Sequence, residues 1–461
     1  MESQINHIVS PYFDKKKFHT QIDIIKKASE IAQNKIDYYY AHDEEILHAI
    51  EIVEKYLKKK HRICYGGQAI NAYLPVKYKF YDPNTSIPDY DFFTPSQNED
   101  IVVLVKDLKK AGFTEIAARQ GMHEGTIRIY VNFTPVADMT EIDPILYNIL
   151  SKRKSTIDEI SYLDANTLRM LMYLELSRPR GEIERWNKVF ERLLLFNEFV
   201  HIKRCPGFNH STMLFNNMLT NEQVDITLEY IIMNKRVFAG ADLLPFYKNA
   251  LKDRKHATEW IFGSRKPILF YSADSSLDAT QLISKLTHIP HHTTRYAKSK
   301  AFTIQSYSSR GVDLLPSMKV IKQGKIPLIF IIDQTACHSY FNVPINNVQY
   351  NSMLRIASMD TLITLYFCLG LMKTSFFDID SMQCLANELV QLSIKARSLP
   401  EQFIFPFISI KCYGHQKSFS SLIRAKVHRT AKKKQEIIHA LNKHYSNRLN
   451  PKRRNTIRYK H

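Results

Sequence analysis

Tyr65-Gly66-Gly67-Gln68-Ala69, followed some twenty residues later by Pro88-Asp89-Tyr90-Asp91-Phe92-Phe93, is the stretch on which the reading of this chain turns. Residues i and i+2 of a strand project to the same face. A strand over Asp89–Phe93 therefore presents two carboxylates side by side, with Tyr90 pointing away. By itself an Asp-x-Asp triplet is most often a solvated loop feature, and Gly-Gly a turn. Here Pro88 precedes the triplet and Phe92-Phe93 follow it, which reads as a strand entering a core. Adjacent anions repel unless a positive charge lies between them. Mg²⁺ accepts one or two carboxylates and completes its shell with phosphate oxygens and water. Glycines at 66 and 67 let backbone N–H groups approach a triphosphate closely.

A third carboxylate is expected on a neighbouring strand. Asp138, in the short apolar stretch Val136 to Met139, is preferred. Asp143, just before Pro144, reads as the start of a helix or turn, and Glu124 falls in a turn between Gly121 and Gly125. The competing role for Asp138 is a helix cap or loop residue.

Outward from this centre, Ile46, Ala49, Ile50, Val53 and Leu57 recur at helical spacing and end in Lys58-Lys59-Lys60, cations suited to a helix C-terminus. Helices are predicted over Ile101–Lys110, Thr167–Leu176 and Ile183–Phe199, and an alternating strand over Thr126–Val131. Ser177-Arg178-Pro179-Arg180-Gly181 breaks the last two helices apart. The fold class is α+β: a small mixed sheet followed by helices. The second half repeats this order weakly. Thr361 to Phe367 resembles Thr167 to Tyr173, and each follows at similar distance an aspartate that ends an apolar strand, Asp333 and Asp138. In that alignment Asp89 and Asp91 are matched by Lys266 and Ile268, so the second copy cannot hold a catalytic metal.

At 461 residues the chain suits two or three domains, and its 44% hydrophobic and 24% charged content is that of a globular protein. No apolar run reaches the roughly 20 residues of a membrane span, and Leu362 to Met372 is too short. The N-terminus lacks a secretory pattern. Six scattered cysteines without a CxxC suggest neither a zinc site nor a disulfide framework, and a reducing, intracellular setting. The net charge of +19 predicts attraction to a polyanion. From Arg424 to the C-terminus thirteen Lys and Arg stand against Glu436 alone, interleaved with Tyr445 and Tyr459. Such runs are commonly solvated tails, but the aromatic interleaving points to nucleic acid.

The order of Gly66-Gly67, Asp89-Tyr90-Asp91 and a later strand aspartate resembles the polymerase-β nucleotidyltransferase superfamily. More narrowly, Tyr65 to Asn71, Pro88 to Phe93, Ala137-Asp138-Met139-Thr140 and Arg185-Trp186-Asn187-Lys188-Val189 resemble the poly(A) polymerase catalytic subunit of large nucleocytoplasmic DNA viruses, of the poxvirus, asfarvirus and mimivirus kind. The likeness covers about the first 200 residues. It implies a polymerase-β-like mixed sheet with helices, followed by a second, degenerate nucleotidyltransferase-like domain. It divides the chain into an N-terminal helical region (1–60), a catalytic domain (61–200), a helical connection (201–250), the degenerate domain (251–423) and a basic tail (424–461).

The resemblance further implies that Asp89, Asp91 and Asp138 hold two Mg²⁺ or Mn²⁺ ions, and that Gly66, Gly67 and Gln68 line the incoming ATP. Gln68 stands where the superfamily often carries a serine, which removes a hydroxyl contact to phosphate. Lys188 is the expected triphosphate cation, with Arg185 as the alternative. The implied activity is template-independent transfer of AMP from ATP to the RNA 3′ end of an mRNA, with release of pyrophosphate. The implied setting is the host cytoplasm or the virion of a large DNA virus, with no membrane partner, and a homodimer is compatible with it. The competing readings are a CCA-adding, uridylyl- or oligoadenylate-forming enzyme, or a non-catalytic RNA-binding subunit whose Asp-Tyr-Asp is structural.

Overall fold

The computed structural model of the chain describes residues 14–82, 84–206, 219–252, 268–288, 301–308, 315–347, 350–372, 374–397 and 409–449. A long, exposed helix α1 (Lys15–Ala41) leads into α2 (Glu44–Lys60). Asp43 caps α2 by accepting from the Ile46 amide, and the helix ends on three lysines and a left-handed His61. Its apolar face, Ile46, Ala49, Ile50, Val53 and Leu57, is buried as its periodicity predicts. Next come β1 (Ile63–Tyr65), α3 (Gly66–Tyr73), β2 (Tyr90–Thr94), α4 (Gln97–Lys110), β3 (Ile116–Gln120), β4 (Thr126–Val131) and β5 (Thr134–Glu141). Helix α5 (Pro144–Ser151), the hairpin β6 (Ser155–Ile157) and β7 (Ile160–Tyr162), α6 (Ala165–Leu176) and α7 (Trp186–Phe199) complete the first half. Its sheet has the order β3-β4-β5-β2-β1-β7-β6.

The second half contains α8 (Asn221–Met233), β8 (Val237–Phe238), α9 (Leu243–Lys252), β9 (Ile268–Ser272), α10 (Ser275–Thr287), β10 (Phe302–Tyr307), β11 (Met318–Gln323), β12 (Ile326–Asp333), β13 (His338–Asn347), β14 (Tyr350–Ala357), α11 (Met359–Leu371), α12 (Ile379–Arg397), β15 (Cys412–Tyr413) and α13 (Phe419–Leu449). Its sheet runs β10-β11-β12-β9-β8-β14-β13-β15. Apart from β15, this is the order of the first sheet strand for strand. Strand β8 comes from the stretch read as a helical connection, so the second sheet draws on residues ahead of 251.

The repeat extends to side chains. The Thr94 hydroxyl, at the end of β2, donates to buried Asp100 in α4, which also accepts two bonds from Arg62 at 2.8 and 2.9 Å. In the second copy Ser272 donates to buried Asp278 at 2.6 Å, six residues on as in the first, and Arg236 donates twice at 2.7 Å. Aligning the copies on this network shifts the sequence alignment by one residue on the strand of Asp91 and by three on the strand of Asp138. Since Thr94 pairs with Glu141 and Ser272 with Asp333, Asp333 is the counterpart of Glu141, not of Asp138. Asp91 is matched by Leu269 and Asp138 by Phe330, both fully buried. The counterpart of Asp89 falls at 267, which with Lys266 lies outside the described residues. A one-residue slip moves every side chain to the opposite face, and apolar runs such as Ile268–Ser272 contain nothing in their sequence to fix it. The second copy still lacks the two carboxylates whose strand positions are described.

Two disulfides, Cys205–Cys384 and Cys337–Cys412, overturn the expectation that the cysteines form none. Their partners lie 179 and 75 residues apart, so only the tertiary fold brings them together. Cysteine spacing therefore gives no support to a reducing setting. Among the described residues no helix is long and apolar enough to cross a membrane. The apolar run at Leu362 lies in α11, which is buried from Asp360 to Leu371.

Candidate active site

One row of paired residues crosses the first sheet. Tyr65 on β1 pairs with Asp91 on β2, Asp91 with Asp138 on β5, Asp138 with Arg128 on β4, and Arg128 with Arg119 on β3. Directly paired residues share a face. Asp89, two residues before Asp91, projects to that face as well. The sheet thus sets Asp91 and Asp138 in register, with Asp89 on the same face. Asp143 does not join them: its side chain caps α5 by accepting from the Ile145 and Leu146 amides.

Negative charge is crowded on this face. Burial, followed by repulsion from Asp89 and Asp138, pushes the Asp91 carboxyl up to about 8, against the pull of Arg128 and Arg185. Asp89 is also raised, by burial of its carboxyl and then by Asp138, although the residue keeps a solvent-exposed side; Arg128, Lys188 and Arg192 oppose the rise. Asp138 is buried and accepts a two-pronged contact from Arg128, Nε to Oδ1 at 2.6 Å and Nη2 to Oδ2. No three His, Cys, Asp or Glu side chains among the described residues converge closely enough to hold an ion. The donor set itself is all carboxylate oxygen and carries an excess of negative charge, which suits a hard divalent cation.

The two glycines frame the other side of the site. Gly66 opens α3 with φ of +74° (a left-handed value that favours glycine), and a Cβ there would collide with Asp91 Oδ2. A Cβ on Gly67 would collide with the Tyr81 hydroxyl and an Arg192 guanidinium nitrogen. The first turn of α3 thus lies between the carboxylates and a cation, and its free amides are suited to an anion. Gln68 follows, its buried Oε1 without a hydrogen-bond partner. Arg185, Lys188 and Arg192 lie three and four residues apart and share one face of the helix that begins at Trp186. Burial, then Arg192 and Arg185, lowers the Lys188 ammonium, while Asp89 and Glu175 work the other way. Arg185 is shared between Glu175 and Glu182, at 3.4 and 2.9 Å. The sequence reading included Arg185 and Lys188 but passed over Arg192 and Arg128. The i, i+4 spacing from Lys188 could have pointed to Arg192; Arg128 required the strand register.

Basic helix α13 packs on edge strand β3, and Arg429 donates to the Met122 carbonyl at 3.1 Å. The described part of the tail therefore lies against the sheet edge that ends the Arg128–Arg119 row. Residues 450–461, with five of the tail's cations and Tyr459, lie outside the described residues.

Residues 51–182 match the family model of the poly(A) polymerase catalytic subunit. A protein of African swine fever virus (strain Badajoz 1971 Vero-adapted), named "Putative poly(A) polymerase catalytic subunit", is 34% identical over 166 residues, 35% of each chain. One of the same name from Acanthamoeba polyphaga mimivirus is 31% identical over 150 residues, 31% of this chain and 25% of that protein. The alignments thus span about a third or less of these relatives' length. Among solved structures, the Megavirus polyadenylate synthase superposes with a TM-score of 0.68, over 93% of this chain and 85% of that one. At 17% identity that likeness speaks for the fold, which is shared across both halves.

Proposed function

We propose that this chain is a polynucleotide adenylyltransferase that extends RNA 3′ ends with AMP from ATP, without a template. The observation that carries the reading is the in-register placement of Asp91 and Asp138, with Asp89 on the same face, beside the glycine-started helix α3 and the cations of α7. The family match over residues 51–182 supports the same reaction, since it includes both glycines and all three carboxylates.

In this reading Asp89, Asp91 and Asp138 would hold two Mg²⁺ or Mn²⁺ ions, which supply charge neutralisation and an acidified attacking hydroxyl. Asp138 has to leave Arg128, at least in part, to serve as a ligand. The α3 amides at Gly66 and Gly67, with Gln68 beside them, would cradle the triphosphate. Lys188 would bring an ammonium to the β- and γ-phosphates, where it offsets the charge that develops as pyrophosphate leaves. Arg185 would assist from the preceding turn. The 3′ hydroxyl of RNA would attack the α-phosphorus in line, giving an RNA longer by one adenylate.

The basic face of α13, continuous with Arg119 and Arg128, suits the phosphates of the acceptor strand. The viral origin of the relatives fits a reaction in the host cytoplasm or the virion. A homodimer would have the exposed apolar side chains of α1 available for burial, Ile24, Ile25 and Tyr39 among them. The test is incubation of the purified chain with an RNA oligonucleotide, Mg²⁺ or Mn²⁺ and each NTP in turn. Extension by ATP alone supports the reading. Extension by CTP or UTP in preference to ATP assigns the chain to another nucleotidyltransferase, and no extension with any NTP leaves an RNA-binding role.

A further inference from the structure

The face of α7 that carries Arg185, Lys188 and Arg192 continues to Phe199, seven residues beyond Arg192 and about 10 Å farther along the axis. The segment 77–81 covers this outer part, and its contacts differ from those of a packed core. The Tyr78 ring stacks on Phe199 with centroids 4.1 Å apart and planes 29° from parallel. Both rings stay exposed, Tyr78 at 39% and Phe199 at 37%. The Lys77 ammonium sits 5.7 Å from the Tyr78 centroid. Nearer the carboxylates, the Arg192 guanidinium lies 4.3 Å from the Phe80 centroid and 5.4 Å from that of Tyr81, and donates to the Tyr81 hydroxyl at 3.1 Å. Tyr81 and Arg192 in turn close on Gly67.

A cation fixed by aromatics beside the phosphate cradle, followed at about one nucleotide's length by an exposed aromatic stack with a lysine, matches the chemistry of a single-stranded nucleotide. Such sites pair a charge for the phosphate with a π-face for the base, and they tolerate any base because every base has such a face. We infer that the Tyr78–Phe199 stack is a nucleobase-binding ledge, with Arg192 and Lys77 receiving the phosphates on either side of that base. The base belongs either to the 3′ end of the acceptor RNA or to ATP. The inference rests on the reading above for the kind of ligand, but not for catalysis.

The test uses the full chain and two binding probes, without metal or transfer. One is a short fluorescein-labelled oligoadenylate followed by anisotropy, at salt high enough to suppress the contribution of the basic tail. The other is a fluorescent ATP analogue without RNA. Tyr78→Leu keeps apolar packing on Phe199 but removes one π-face, Phe199→Leu does the same for the other ring, and Tyr78→Phe restores the face. The expected result is a roughly tenfold loss for one probe in both leucine variants, with an unchanged melting temperature and recovery in Tyr78→Phe. Loss for the oligoadenylate assigns the ledge to the acceptor strand, and loss for the analogue assigns it to the incoming adenine. Unchanged affinity for both probes overturns the inference. If the leucine variants melt early, Tyr78→Trp provides a second readout: a base stacked on the indole quenches its fluorescence, and absence of quenching by either unlabelled oligoadenylate or ATP overturns the ledge. Binding that survives without extension would contradict the proposed reaction and leave the ledge standing.

Discussion

Asp91→Asn should stabilise the metal-free protein at neutral pH, which is the reverse of what replacing a well-paired carboxylate does. The Asp91 carboxyl is raised from 3.8 to about 8, by burial first and then by Asp89 and Asp138. Between those values the folded chain holds a proton that the unfolded chain has released. The stabilisation this provides is complete below the unfolded value and is lost as pH rises through the folded one. Its slope has a ceiling of about 1.4 kcal/mol per pH unit, so roughly 4 kcal/mol separates pH 4 from pH 7 if Asp91 titrates alone. Asp89 is raised in the same cluster, so the pair rather than Asp91 alone holds the proton. Asparagine has no such penalty. Melting curves from pH 4 to 8 without divalent ions should show the variant ahead by a few degrees at pH 7 and level with the wild type at pH 4. Added Mg²⁺ or Mn²⁺ should then raise the wild type and leave the variant nearly unmoved. A variant less stable than the wild type at pH 7, or a difference independent of pH, would refute the crowding argument.

The other expectations concern the cations around this cluster. Arg128→Gln should cost about 1–3 kcal/mol of metal-free stability by leaving buried Asp138 without its partner; the same change should tighten Mn²⁺ binding, measured by electron paramagnetic resonance, because a competing cation is gone. Lys188→Ala should raise the apparent KM for ATP about tenfold with little change in RNA affinity; an unchanged KM, with the defect appearing in Arg185→Ala, transfers the role. Replacing Lys432, Lys433 and Lys434 on exposed α13 by glutamine should weaken RNA binding at low salt and flatten the dependence of log K on log salt by about 2, at roughly 0.7 per phosphate contact. Products made per encounter should shorten. An unchanged slope would make the tail a solubility device.

The part of this site that could be read from the sequence is local. Asp89 and Asp91 are two residues apart, so any strand puts them on one face, and the flanking Pro88 and Phe92-Phe93 identify the strand. Lys188 and Arg185 were found by motif and Asp143 was rejected because Asp-Pro starts a helix. What the sequence hid depends on pairing between distant segments. Arg128 meets Asp138 only through the antiparallel register of β4 and β5. Arg192 gains its place because Gly67 leaves room for it and Tyr81 holds it. The duplication is legible as similar helices, yet its register is off by one residue on β9 and by three on β12. The Thr94–Asp100–Arg62 and Ser272–Asp278–Arg236 networks, with the strand pairing, fix it. The disulfides were missed for the same reason, since nothing local links Cys205 to Cys384.

The central claim is that Asp89, Asp91 and Asp138 act together in adenylate transfer. Its most direct test is primer extension with ATP and Mg²⁺ or Mn²⁺ by the wild type and by Asp89→Ala, Asp91→Ala and Asp138→Ala, each checked for folding and for RNA binding. The account predicts a ladder of adenylated products from the wild type and none from the three variants, with RNA affinity largely kept. If these carboxylates hold the metals as proposed, removing one forfeits several kcal/mol of transition-state stabilisation. Extension at near wild-type rate by any of the three, or loss of activity in Asp143→Ala with Asp138→Ala active, would contradict it.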